Sequence, residues 1–418
     1  MQKQNFKRTK LACYTAYFTM SSIFCVPPLL FMTFHNLYNI SYTLLGTLVL
    51  TNFCTQMLVG LIFTLFSKKF NIKKVVRVMP CITSLGLFIY ALVPNFFPQY
   101  AYIGLVVGTI IFSVSAGLSE VLLSPVIAAI PSDNPQKDMS MLHSLYAFGF
   151  FTMVVISTLF LKIFGNENWS YLVLLIGTLP LIAAVMFKIS PFPNMSEEAS
   201  QEKNKEKNKN RTIGLALCVG SIFLGSCAEN TMSNWISTYM ENALNIDKAL
   251  GDILGMAMFA ILLGITRITY AKYGKNISKF LLVSMICASV CYLTVSFSNN
   301  TILSFVGCVL TGIFTAMLWP GTLILMEEKV KGVGVAAYAL MASAGDFGAS
   351  LAPQLMGIVV DNISVSEFAI NMSSSLNLAP EQIGLKVGML ITSIFPILGS
   401  FLIVFIIRYF KKQKTQEN

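Results

Sequence analysis

The stretch Lys188–Arg211 reads KISPFPNMSEEASQEKNKEKNKNR, mixed in charge and without apolar periodicity. It interrupts a chain that is otherwise oily. Six apolar runs precede it, at 11–34, 44–66, 75–96, 101–129, 139–164 and 169–189. Six follow it, at 212–240, 250–271, 277–297, 300–326, 333–360 and 385–409. A helix needs about 20 apolar residues to cross a hydrocarbon core. Lipid cannot satisfy backbone N–H and C=O groups, so spanning segments are helices or closed barrels. These runs are continuous and rich in Leu, Ile and Phe, without the alternation of a barrel strand. The sequence therefore predicts an all-α membrane protein of 12 transmembrane helices in two six-helix bundles. The bundles are residues 1–189 and 212–418, and the charged linker is 190–211.

Composition agrees. Only 11% of residues are charged, against about 25% in a soluble chain, and mean hydropathy is +0.70. A net charge of +10 is compatible with nucleic-acid binding, but its distribution argues against that. With the N-terminus in the cytoplasm, 25 of the 29 Lys and Arg fall in the N-terminal tail, the even-numbered loops, the linker and the C-terminal tail. Lys162, Lys248 and Lys386 are left for the outer loops, and Arg267 lies inside the eighth run. This is the positive-inside pattern, with both termini cytoplasmic. The first run is too long for a signal-peptide core and no A-x-A-like site ends it, so it reads as the first spanning helix. All nine cysteines fall within apolar runs. Cys287 and Cys291 are one turn apart but have no His or carboxylate beside them, so neither disulfides nor a metal site is expected. No HExxH, GxSxG or Walker sequence occurs. The chain thus reads as neither an enzyme nor a cofactor protein, and any transport is secondary.

The halves repeat at an offset of about 195 residues. Gly117 and Pro125 are matched by Gly312 and Pro320; Gly149 is paired with Gly345. The second loop, Lys68-Lys69-Phe70-Asn71-Ile72-Lys73-Lys74, resembles the eighth, Lys272-Tyr273-Gly274-Lys275-Asn276-Ile277-Ser278-Lys279. Two copies of a six-helix unit in one orientation place the work between the halves, near the midplane.

Several stretches carry a family resemblance. In the first half they are Ala116-Gly117-Leu118 with Glu120-Val121-Leu122-Leu123-Ser124-Pro125, and Met141-Leu142-His143-Ser144 through Gly149. In the second half they are Ala228-Glu229, Trp235, Leu318-Trp319-Pro320-Gly321-Thr322 and Ala344-Gly345-Asp346. On these the chain resembles major facilitator superfamily transporters, and within them the fucose-permease-like branch of bacterial sugar and proton symporters. The resemblance implies a bacterial cell membrane, a small-molecule substrate, protons as co-substrate and a monomer. Two departures stand out. Lys68 occupies the place of the superfamily's second-loop acid, and the first run has Thr15, Thr19, Ser21 and Ser22 but none of the acid that fucose permeases carry there.

A charge at the bilayer centre costs at least about 2.5–3.5 kcal/mol, so each intramembrane charge is a functional candidate. Glu120 matches the position of the relatives' proton-coupling glutamate; Glu229 and Asp346 are further candidate proton carriers. Asn52, Gln56, His143, Asn230, Asn234, Trp235 and Trp319 are candidates to hold a hydroxyl-rich substrate through amides, imidazole and indole faces. Arg267 is expected to form a gate ion pair with Glu327 or Glu328. The leading reading is a proton-coupled sugar importer working by alternating access. A proton-driven efflux antiporter for drugs or metabolites and a non-transporting solute sensor remain alternatives.

Overall fold

The computed structural model describes residues 6–66, 70–133, 135–193, 209–330 and 335–417. Lys68, Lys69, Lys331, most of the linker (194–208) and the side chain of His143 lie outside the described residues. All regular structure among the described residues is helical. Among these residues ten helices are long and apolar enough to cross a membrane, and the number reaches 12 if each of two bent pairs is one span. The two pairs are Lys7–Leu29 with Phe31–Tyr38, bent by 47°, and Ala337–Ser364 with Glu367–Leu376, bent by 77°.

The chain divides into two compact units, Met1–Ile40 with Thr51–Ala199, and Ser41–Leu50 with Ser200–Asn418. The first unit holds α1 (Lys7–Met20), α2 (Ser22–Leu29), α3 (Phe31–Tyr38), most of α4 (Tyr42–Phe66), α5 (Ile72–Phe96), α6 (Ala101–Ala128), α7 (Pro135–Phe164) and α8 (Trp169–Ile189). The bend after Leu29 has a local cause. Pro27 and Pro28 lie in α2 and lack the N–H groups that would continue the helix.

The second unit holds α9 (Lys209–Thr238), α10 (Lys248–Leu250), α11 (Met258–Tyr273), α12 (Ile277–Phe297), α13 (Thr301–Thr315), α14 (Pro320–Lys329), α15 (Val335–Ser364), α16 (Glu367–Leu376), α17 (Pro380–Thr392) and α18 (Ile394–Glu417). The first turn of α4 belongs here too. The Asp361 carboxylate accepts from the N–H groups of Tyr42, at 3.0 Å, and Thr43, at 2.6 Å, and so caps that helix start. Helix α16 falls in the interval between the apolar runs 333–360 and 385–409. It opens on Ser366, which accepts from the Ala369 N–H, and closes on Asn377 in the left-handed region at φ 54°. Among the described residues, the three non-glycine positions with positive φ, Asn39, Asn245 and Asn377, are all asparagines, the type that best tolerates that conformation.

Each unit repeats the other's internal packing. In the first, α5 packs on α6 and α8, and α1 on α7 and α8. In the second, α12 packs on α13 and α18, and α9 on α15 and α18. The correspondence reaches single atoms. Asn71 caps α5 by accepting from the Lys74 N–H, and Asn276 caps α12 by accepting from the Lys279 N–H, each at 3.1 Å. A Cβ on Gly117 would meet the backbone of α4 at Gln56, and one on Gly312 the backbone of α11 at Phe259. Close helix approach therefore needs glycine at both places. The pairing of Gly149 with Gly345 is corrected by the same criterion. Gly149 faces the Phe18 carbonyl of α1, and the glycine facing the equivalent Phe223 carbonyl of α9 is Gly348.

Large apolar side chains also cover the outside. Leu65, Ile163, Ile302 and Phe401 are each at least 70% exposed. Helices apolar on the outward face as well as the inward one are the mark of a lipid-facing surface.

Candidate functional site

In the first unit the polar side chains of α4 and α6 meet. Gln56 Nε2 donates to Asn52 Oδ1 at 2.8 Å, and Ser113 Oγ donates to the same oxygen at 2.6 Å. Gly117, one turn on from Ser113, lets the two backbones close around this cluster. Asn52 and Gln56 are buried, at 7% and 3% exposure. Through these bonds they join α4 to α6. Glu120 lies on α6 and is exposed.

At the chain-start end of the same unit, Lys10 on α1 pairs with Asp138 on α7 at 2.5 Å. Ser132 donates to the same carboxylate. The Lys10 ammonium, through its hydrogen bond, and then Ser132 hold the Asp138 carboxyl below its usual range. Sequence reading passed over Asp138 because it sits before the apolar part of its run.

The second unit holds an intramembrane ion pair. Glu229 on α9 accepts at Oε1 from Arg267 Nη2 on α11, at 3.1 Å. Arg267 Nε donates to the Ala316 carbonyl at 2.8 Å. That carbonyl is free for a reason written in the sequence. Its helical partner would be the N–H of residue 320, and Pro320 has none. The proline separates α13 from α14, and the guanidinium fills the gap with a charge-assisted bond. One cation thus ties α9, α11 and the α13–α14 break together. The other carboxylate oxygen, Glu229 Oε2, is buried without a hydrogen-bond partner among the described residues.

This geometry corrects the expected gate pair. Arg267 meets Glu229, not Glu327 or Glu328. Glu327 accepts from the Tyr338 hydroxyl, and Glu328 is 3.8 Å from Lys329. The amides on α9 turn back onto their own helix. Asn230 Nδ2 donates to the Ser226 carbonyl at 3.1 Å, and Asn234 Nδ2 to the Asn230 carbonyl at 2.8 Å. Trp235 is fully buried; its Nε1–H donates to the Pro353 carbonyl at 3.0 Å, and its ring centroid lies 6.0 Å from that of Tyr42. It is a core anchor and offers no ring face to a substrate. Trp319 is half-buried, its indole packed so closely on Gly345 that a Cβ there would lie 2.7 Å from the ring. Asp346, next along α15, is buried.

A second charged cluster escaped the sequence reading. Asp252 is 1% exposed and accepts from Ser237 Oγ. Lys248 lies 3.6 Å from Asp252 and 3.4 Å from Glu241. These residues border two π-helical turns, Tyr239–Ala243 and Gly251–Ala257. The signal was present: Asp252 is an acid inside the eighth apolar run, four residues after a lysine. Lys386, assigned to an outer loop, instead lies buried in α17 and donates to the Ser298 carbonyl at the end of α12.

No curated protein matches the sequence. Among solved structures, similar chains include a bacterial homologue of the human lysosomal transporter Spinster, in an inward-facing and occupied conformation. It is 13% identical, 97% of each chain is covered, and the TM-score is 0.74. A D-xylose-proton symporter is 13% identical over 93% of this chain and 96% of its own, with TM-score 0.71. The nucleoside transporter NupG is 15% identical over 96% and 98%, with TM-score 0.67. At such identities the likeness is one of fold. Residues 12–353 match the Major Facilitator Superfamily by sequence. With the apolar helices and the repeated units, that match makes the chain a multi-pass membrane transporter, not an enzyme, and a member of the Major Facilitator Superfamily.

Proposed function

We propose that this transporter imports a sugar or similar small polar solute together with protons, by alternating access, as part of the fucose-permease-like branch. Its setting is a bacterial cell membrane, with both termini in the cytoplasm, following the basic bias of the loops. The observation that carries the reading is Glu120, an exposed carboxyl and the sole charged residue of α6. An acid is retained at such a position when it is paired, protonated or turned to water, and a carboxyl that alternates between the last two carries a proton. Glu229 and Asp346 are further acids within spanning helices and serve as secondary proton carriers. The similar structures that include a D-xylose-proton symporter and a nucleoside transporter support a polar, hydroxylated solute.

Uptake of radiolabelled monosaccharides into proteoliposomes, with and without an inward proton gradient, tests this. Gradient-driven accumulation is expected in the native protein, and its loss in Glu120→Gln with solute exchange retained. Full accumulation in that variant would remove Glu120 from proton transfer.

A further inference from the structure

The Arg267–Glu229 pair is incomplete as an ion pair, and what it lacks describes a ligand. An arginine and a carboxylate that form a purely structural bridge tend to meet fork to fork, with two parallel bonds. Here one Glu229 oxygen meets one guanidinium nitrogen, and Glu229 Oε2 stays buried without a partner among the described residues. Arg267 uses Nε on the Ala316 carbonyl and Nη2 on Glu229. Its side chain is nevertheless 34% exposed, twice the 16% of Glu229. The Ala316 carbonyl holds the guanidinium plane in place, so part of the fork stays presented in a fixed direction.

A neutral sugar has little use for such a cation, since hydroxyls bond well to amides and to uncharged donors. A planar, fixed, partly free guanidinium matches a planar carboxylate. One guanidinium balances one carboxylate, so two carboxylates would take turns on it.

We propose that Arg267 recognises a carboxylate borne by the transported solute, and that Glu229 is its stand-in when the solute is absent. The substrate is then an acidic sugar or a similar small hydroxylated carboxylate. This deepens the importer reading above and rests on it.

The test compares matched pairs that differ in the carboxylate: glucose with glucuronate, and galactose with galacturonate. Uptake into proteoliposomes and quenching of the native tryptophan fluorescence are both read on the native protein. The acid of at least one pair is expected to be preferred by about tenfold, the worth of one charge-assisted hydrogen bond. Arg267→Lys, which keeps the charge and loses the fork, is expected to abolish that preference while the protein stays monodisperse on gel filtration. Glu229→Gln, which removes the competing carboxylate charge, is expected to tighten binding of the acid. Uptake of a neutral sugar without its acid would overturn the inference and leave the importer reading standing. Uptake of neither would overturn the importer reading, and the inference with it. An acid preference that survives in Arg267→Lys would place recognition elsewhere and overturn the assignment. Should the variant fail to fold, the native panel decides alone.

Discussion

Trp235 shows what a residue's neighbours add to its type. An indole beside two amides and an acid reads as a sugar platform, yet the ring is buried and its N–H is held by the Pro353 carbonyl. Trp235→Phe keeps the aromatic body and deletes the donor, leaving that carbonyl short of one hydrogen bond. A loss of about 1–3 kcal/mol in stability is expected, read as a lower thermal midpoint in detergent, with the KM of the native substrate unchanged. A raised KM at an unchanged midpoint would return Trp235 to the binding site. The same limit shaped the rest of the site. Glu229 and Arg267 were each legible as intramembrane charges, because a charge in an apolar run is conspicuous. Their pairing was not. They sit on different helices, and periodicity fixes the face of one helix without saying which face of another it meets. Asn52 and Gln56 were legible as a one-turn pair for the opposite reason, since the contact lies within a single helix.

Helices announced themselves by length and hydropathy, and their ends by chemistry. Asn71 and Asn276 stand where chains of like sequence begin α5 and α12, and both accept from the N–H three residues on. Each cap is worth about 1 kcal/mol. Asn71→Ala and Asn276→Ala are expected to lower stability by that amount singly, and additively together because the caps share no partner. Equilibrium unfolding in mixed micelles would measure both; a double variant no worse than either single one would contradict independent caps. What sequence could not show at this scale was irregularity. The π-helical turns at Tyr239–Ala243 and Gly251–Ala257 widen helices around the Ser237–Asp252–Lys248–Glu241 cluster, and they answer to tertiary contacts that no local propensity encodes. Prolines were the exception, since a missing N–H is written in the sequence and Pro320 points directly to the carbonyl that Arg267 takes.

For the molecule as a whole, the membrane class and the internal repeat were legible in composition and spacing, because a bilayer imposes strict rules on length and charge; that Ser41–Leu50 groups with the second unit was not. Those rules also govern its outside. Phe401, on α18 and 70% exposed, would face hydrocarbon. Phe401→Lys is expected to cost about 2.5–3.5 kcal/mol on insertion scales, seen as a reduced yield in the membrane fraction. An undiminished yield would mean that this face meets water or protein. The two units share their helix caps and their contact glycines, but they do not share their charges. Pro125 removes a donor from the Val121 carbonyl just as Pro320 does from Ala316, and yet α4 carries neither Lys nor Arg to take it up. A duplicated gene drifts, and what both copies still hold in common after drifting is what each needs merely to stand. What only one copy holds is its trade. By that measure a chimera of two first halves would inherit the caps and the contact glycines while losing the guanidinium that Arg267 lays against the Pro320 break.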